Sequence, residues 1–482
     1  MDGIRPMSLR TKALKGAGLL SVSQVISYGL SFVRNIILAR LLGPEQFGMA
    51  ATFLLTVSLL EMSSNFNLDK LLIQSKQGDD PDFQATVHSF QVLRGILLSV
   101  VLLLLAYPIS AWFNLSQSLW AYQCLAIIPL IRAFLHLDNK RCQRNLNYLP
   151  EVSIELVQQT LTLIAAVSLL IWWQDYRVVL GMLIIQAMVL VVTSHLVAQR
   201  QYSLGWHPLF AKQMIQFGWP LLLNGILLYI IFQGDKVAVG RFFSMTELGL
   251  YTVAATLAMI AAELLVKIIV ALFLPLLSKV QNDTLKFTEQ YQFLSDLLIA
   301  LAIALSTVFI IASEPIIHLF YGEAYQTAAV LMIWLSIAQA IGLMRLALTV
   351  AALAKGDSRS PTWASAYRVL GLLGIVWAVQ ENELIWIVFS AIAAEVLAFV
   401  MLAIRLKKLF SLPLLSCIKA LSTTVIIIPV IFLLEAKLIH ELDSILKIFC
   451  AFGIAGMVFI MLIVKQSNLR LQLLNIFKVN KK

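Results

Sequence analysis

Fourteen ionisable side chains stand inside stretches that are otherwise almost wholly apolar. Five of them are basic and form one candidate site: Arg94, Arg132, Lys267, Arg345 and Arg368. A guanidinium fork matches the paired oxygens of a phosphate or carboxylate, and cations gathered at one side of a bilayer concentrate anions there. The chemistry expected of these five is therefore binding of an anion through phosphate or carboxylate oxygens. For any one of them the competing explanation is a snorkelling side chain or a private carboxylate partner such as Asp296 or Glu155.

A second group suits gating and ion coupling: Arg34, Glu61, Asp235, Lys236, Glu263 and Glu395. Glu263 and Lys267 are four residues apart on one predicted helix, acid first, the better order for an intrahelical pair. Glu61 and Glu395 have no basic residue within one turn of their own helices. Acids of that kind suit a bound H+ or Na+, which is the driving ion expected here in place of any cofactor. A plain helix–helix hydrogen bond would also account for Glu395.

Positioning such charges requires a bilayer-spanning scaffold, and the composition supplies one. The 482 residues are 60% hydrophobic and 13% charged, with a mean hydropathy of +0.87, far from the averages of water-soluble domains. Apolar segments of about 20 residues or more recur at 15–39, 46–68, 84–108, 117–137, 151–173, 178–199, 213–240, 247–274, 290–313, 325–354, 362–380, 384–404, 413–434 and 443–464. They predict an all-α integral membrane protein of about fourteen transmembrane helices. Segments this long suit helices rather than the short alternating strands of a barrel. The connections "WFNLSQS", "QENEL" and "AKGDSRSP" read as turns between neighbouring helices. The basic residues Arg5, Arg10, Lys12 and Lys15 precede an apolar segment with no A-x-A site, so the first span is expected to be retained.

Lys and Arg divide unevenly between alternate loops, about 23 in one set and about four (Arg40, Arg177, Arg241, Lys437) in the other. That bias places both termini in the cytoplasm and puts the five basic candidates in the cytoplasmic halves of their spans. It also gives the net charge of +10 a membrane explanation and leaves no soluble basic face for nucleic acid.

Two segments spell nearly the same motif 201 positions apart: "ARLLGPEQFGMAATF" from Ala39 and "GRFFSMTELGLYTVA" from Gly240. They end span 1 and span 7, an even number of spans apart, so the repeats insert in the same direction. The predicted organisation is two parallel six-helix lobes, 1–200 and 201–408, followed by 409–482 with two extra transmembrane helices and a basic cytoplasmic tail. Repeat equivalence sets Asp235 opposite Arg34 in the outer halves of their spans, where a pair across the seam would act as a gate or as a fixed tie.

Catalysis has no candidate. There is no Walker A, H-E-x-x-H or G-x-S-x-G pattern in a suitable context, so the chain is not expected to be an enzyme. Cys124, Cys142, Cys417 and Cys450 lack paired spacing, and the six histidines scatter near span ends, so neither a disulfide framework nor a metal centre is predicted.

"FVRNIILARLLGPEQFG", "GDKVAVGRFFSMTELGLYTVA" and "LFYGEAYQTAAVLMIW" resemble the polysaccharide-synthesis flippases, the Wzx-type branch of the multidrug/oligosaccharidyl-lipid/polysaccharide exporter superfamily. The likeness extends along most of the chain, while spans 13 and 14 match only in number and position. The resemblance implies a flippase carrying undecaprenyl-diphosphate-linked oligosaccharide from the inner to the outer leaflet of a bacterial plasma membrane by alternating access. Its implied partners are that glycan, membrane lipids and polysaccharide polymerase or export proteins. Family motif positions fall on Arg40, Gly43, Gly48, Asp235, Gly240, Gly249 and Gly322; Arg34 and Ser244 depart from a symmetric pattern. The alternatives are a multidrug or cation antiporter of the same superfamily and a non-transporting scaffold of a polysaccharide assembly complex.

Overall fold

A computed structural model describes residues 9–439 and 441–465; His440, the first eight residues and the tail from 466 lie outside it, and with them several of the charges used to predict orientation. Among the described residues the secondary structure is helical, with no strand. Twelve helices among the described residues are long and apolar enough to cross a membrane. The described chain divides into two compact units, one reaching Gln233 and including Ser244–Gly249, the other made of Gly234–Phe243 and the residues from Leu250 onward.

The first unit begins with α1 (Leu9–Ser63). At 1.5 Å per residue its 55 residues would run about 80 Å, far more than one crossing. Gly43 breaks it: φ 74° and ψ 168° leave the helix in a region that favours glycine, and Pro44 restarts it. Predicted spans 1 and 2 are the two halves of this one kinked helix. Then follow α2 (Leu68–Gln74) and α3 (Pro81–Trp112), the latter capped by the Asp80 carboxylate, which accepts from the Asp82 amide.

Predicted span 4 is not continuous. It forms α4 (Leu119–Leu125) and α5 (Ile127–Arg132), separated at Ala126. A broken helix at membrane depth must have its freed carbonyls satisfied by protein. Here α3 does so, with Ser99 Oγ donating to the Ala126 carbonyl at 2.7 Å and Gln91 Nε2 to the Arg132 carbonyl at 2.9 Å. The merging of spans 1 and 2 and the breaking of span 4 reconcile fourteen predicted segments with twelve long helices. The unit continues through α6 (Asp138–Arg144), α7 (Leu149–Trp172), α8 (Arg177–Leu196) and the start of α9 (Pro208–Phe242).

The repeated motifs meet in this unit. A Cβ on Gly48 would fall 1.8 Å from the Met245 carbonyl oxygen, and one on Gly249 would fall 2.0 Å from that of Pro44. The contacts are reciprocal, because 44 + 201 = 245 and 48 + 201 = 249, and each glycine lets the backbone of the other copy approach.

The second unit contains α10 (Met245–Lys279) from Leu250 onward, α11 (Thr284–Tyr321), α12 (Ala328–Ala354), α13 (Arg359–Arg368), α14 (Gly374–Glu381), α15 (Ile385–Phe410), α16 (Leu415–Leu434) and α17 (Ser444–Lys465). A 3-10 turn, Val369–Leu373, joins α13 to α14, so predicted span 11 is also interrupted. Helix α11 is the core: Leu294, Leu298, Ala302 and Ile303 are fully buried, and α12, α16 and α17 all pack on it. Two ion pairs fasten the last two helices to α11, Asp296 with Lys419 at 3.0 Å and Glu314 with Lys447 at 3.8 Å. The two acids are separated by about 27 Å of helix, close to a hydrocarbon thickness.

Candidate functional site

A cavity of about 340 Å³ opens inside the first unit, and it gathers candidates from both sequence-derived groups. Glu61 near the end of α1, Arg94 on α3 and Arg132 at the end of α5 line it, joined by Asn65, Asp69 and Lys140. The rest of the wall is largely leucine, with Gly95 and Pro129 among it. Helices α3 and α5 come this close because a Cβ on Gly95 would lie 2.7 Å from the Pro129 carbonyl oxygen. The break after α4 lets α5 turn its final residue, Arg132, into the space.

Glu61 has no basic residue within a turn of its own helix, and the tertiary structure supplies one from another: its carboxylate forms an ion pair with Arg132. The side chains of Arg132 and Glu61 remain 28% and 46% exposed, so the pair faces the cavity rather than the core. Arg94 Nη2 donates to Ser64 Oγ at 3.0 Å, and the Asp69 carboxylate acts on it electrostatically. The Nε atoms of both arginines are buried and have no hydrogen-bond partner. Each guanidinium therefore uses only part of its donor fork. Lys140 is engaged elsewhere, donating to Glu151 at 2.7 Å.

The second unit holds a separate cluster. Glu395 on α15 is 7% exposed and takes Arg345 of α12 on Oε2 at 3.1 Å and Arg368 of α13 on Oε1. Two arginines expected to face an anionic ligand thus share an acid that has no basic residue within a turn of its own helix. Taken together the three side chains carry one net positive charge. A plain helix–helix hydrogen bond does not describe Glu395.

The other candidates are placed as follows. Arg34 donates to Gln159 Oε1 at 3.1 Å and to Ser31 Oγ at 3.2 Å, within the first unit. Asp235 accepts from the Tyr251 hydroxyl at 2.6 Å and from the Lys236 amide at 2.8 Å, within the second. The carboxylates of Asp235 and Glu263 both act on the Lys236 ammonium. Glu263 and Lys267 lie exposed on α10.

One cluster had no signature in the sequence. His88, His136 and His195, which the sequence scatters, surround Tyr202, with ring centroids 4.5, 5.5 and 5.0 Å from its own. They fasten the connector between α8 and α9. His88 Nδ1 donates to the Ser203 carbonyl at 3.2 Å while Nε2 accepts from the Leu137 amide, and His136 Nε2 donates to the Arg200 carbonyl at 3.0 Å. Fully buried Asp138 completes the knot, accepting from Arg141 Nε at 2.5 Å and from the amides of Gln199 and Arg200 at 2.8 and 3.3 Å. Burial alone would raise the Asp138 carboxyl, but the Arg141 and Gln199 hydrogen bonds overcome it and hold the group at about 2. No local pattern marks these residues, which come from four separate elements.

Comparison with known proteins settles what kind of chain this is. The family described as "Polysaccharide biosynthesis protein" matches residues 37–330, more than half of the sequence. The chain belongs to that family. This polysaccharide biosynthesis protein is 24% identical over 345 residues to the lipopolysaccharide biosynthesis protein WzxC of Escherichia coli (strain K12), covering 70% of the chain and 68% of the relative. It is 22% identical over 276 residues to the succinoglycan biosynthesis transport protein ExoT of Rhizobium meliloti (strain 1021), covering 56% and 54%. The matches thus span from about half to about two thirds of these relatives. In fold it is similar to the lipid II flippase MurJ in an inward closed conformation, with a TM-score of 0.74 over 92% of this chain and 97% of that one at 13% identity. The polysaccharide biosynthesis protein is thus a multi-pass bacterial membrane protein whose relatives serve glycan assembly and transport.

Proposed function

We propose that the protein is a flippase that moves undecaprenyl-diphosphate-linked oligosaccharide repeat units from the inner to the outer leaflet of the bacterial plasma membrane by alternating access. Both termini face the cytoplasm in this reading, in keeping with the Lys and Arg bias of the loops. The observation that carries it is the first unit's cavity, where Arg94 and Arg132 reach from different helices into a space walled mainly by leucine. Such arginines favour a phosphate-bearing headgroup. Arg345, Arg368 and Lys267 supply further positive charge, Arg34, Asp235 and Lys236 serve gating, and Glu61, Glu263 and Glu395 are the candidates for H+ or Na+ coupling. Polymerase and export proteins of the same surface glycan are the expected partners.

The test is complementation of a strain lacking the protein with Arg94→Ala or Arg345→Ala. The expected result is at least a tenfold fall in surface polymer, with lipid-linked repeat units accumulating on the cytoplasmic leaflet and normal protein levels in the membrane. Normal export in both variants would remove the reading. Intact polymer together with lost drug resistance would replace it with multidrug antiport.

A further inference from the structure

The proposed flippase reading leaves one question open at its own site: why an arginine meant for a phosphate already holds a carboxylate. We infer that Glu61 is a built-in stand-in for the ligand's phosphate, keeping Arg132 positioned in the first unit's cavity until a phosphate or diphosphate oxyanion displaces it. This inference rests on the placement of the headgroup in that cavity.

Three observations support the exchange. The Glu61–Arg132 pair lines the cavity: 46% of the Glu61 side chain is exposed, while its paired oxygen Oε1 is buried against Arg132. The exposed part of Glu61 gives the carboxylate open space to move into when another anion takes Arg132. Both guanidiniums are also underused: Arg94 is held by a neutral hydroxyl, and the Nε atoms of Arg94 and Arg132 have no partner. A buried cationic N–H without an acceptor is unfavourable, and an oxyanion able to bridge the two forks would relieve it.

Charge points the same way. The cavity is lined by Arg94, Arg132 and Lys140 against Glu61 and Asp69. Lys140 is already paired with Glu151, so Arg94 and Arg132 balance Glu61 and Asp69, and one positive charge is uncovered when the Glu61 carboxylate is displaced from Arg132. A diphosphate diester brings one negative charge on each phosphoryl group against the single charge of a carboxylate. It also has more acceptor oxygens than Glu61 can offer to two arginines on separate helices. Asp69, already acting on Arg94, disfavours binding of a second anion there.

The experiment measures affinity of the purified full chain in nanodiscs for inorganic pyrophosphate and, in a parallel arm, for a short-chain polyprenyl diphosphate. Glu61→Gln is expected to bind both about tenfold more tightly than wild type, and Arg94→Gln at least tenfold more weakly. Glu61→Asp, which withdraws the carboxylate by one methylene but keeps its charge, is expected to fall between wild type and Glu61→Gln. It provides the readout if Glu61→Gln does not fold. Tightening in both arms supports recognition of the phosphate group itself. Tightening confined to the polyprenyl arm supports exchange with a lipid headgroup as the source.

Unchanged or weaker binding in a folded Glu61 variant overturns the inference, as does the absence of binding to either probe in every form. The two readings fail separately. Lost export in Arg94→Ala with no tightening in the Glu61 variants leaves the flippase standing without the exchange. Normal export together with tightening leaves the exchange standing without the flippase.

Discussion

Glu395 lies between Arg345 and Arg368, and its buried carboxylate pairs with both. Replacing it with glutamine keeps the shape but removes the carboxylate that the two guanidiniums share. Removing one partner of a buried ionic group costs about 3–5 kcal/mol. Glu395→Gln is therefore expected to lower the melting temperature strongly in detergent, whereas Arg345→Ala, which leaves a one-to-one pair with Arg368, lowers it much less. Equal losses from the two variants would contradict the sharing. Asp138 makes a comparable prediction outside the spans. Its carboxyl is held at about 2, below the ordinary value near 3.9, so its contribution is complete above about pH 4 and is lost as the pH falls toward 2. Asp138→Asn forgoes that contribution at every pH, about 3 kcal/mol with Arg141 left uncompensated. The stability gap between wild type and variant should be full at neutral pH and narrow below pH 4 as the carboxylate is protonated. The Asp138 carboxylate also acts on His88 and His136, so the gap shifts where those rings titrate.

At the scale of elements, glycine decides two junctions. Gly43 turns a helix too long for one crossing into two spans, and Gly48 and Gly249 let the repeated motifs pack backbone to backbone. A Cβ at Gly48 or Gly249 must displace a carbonyl oxygen. Overpacking of this kind costs about 1–3 kcal/mol or more. Gly48→Ala and Gly249→Ala should each reduce thermal stability and the amount of folded protein recovered from membranes. Gly29→Ala meets no atom within 4 Å in its helix and should be neutral or slightly stabilising. A Gly48→Ala protein as stable as Gly29→Ala would show that the reciprocal contact is not formed. The motif signalling these junctions was readable in the sequence as a repeat, but the meeting of the copies was not, because a repeat states equivalence and says nothing about contact. The break in the fourth span was likewise hidden. Residues 117–137 are apolar enough for an unbroken helix, and what stabilises the gap is side chains of α3.

At the scale of the whole molecule, the uneven distribution of Lys and Arg predicts which loops face the cytoplasm. Lys355→Cys and Arg177→Cys, each in a background without the four native cysteines, should label oppositely with a membrane-impermeant maleimide in intact cells. Arg177→Cys is expected to react from outside and Lys355→Cys only after permeabilisation; the reverse pattern would invert the topology and move the basic candidates to the outer side. Helices α16 and α17, which the sequence sets apart as an addition, are held to α11 by Lys419 and Lys447 and belong to the second unit.

The sequence by itself determined the solvent, the helical class and the repeat. All of these follow from composition and from periods along the chain, because the membrane penalises polar groups wherever they occur. Only the tertiary structure decided which charge meets which. Glu61 finds Arg132 71 positions away, Glu395 takes arginines from two other helices, and three distant histidines close on Tyr202. Pairing of this kind depends on helix rotation and on the contacts where helices cross. Small residues such as Gly95 set those contacts, and nothing in the local pattern of the chain encodes which partner a small residue admits.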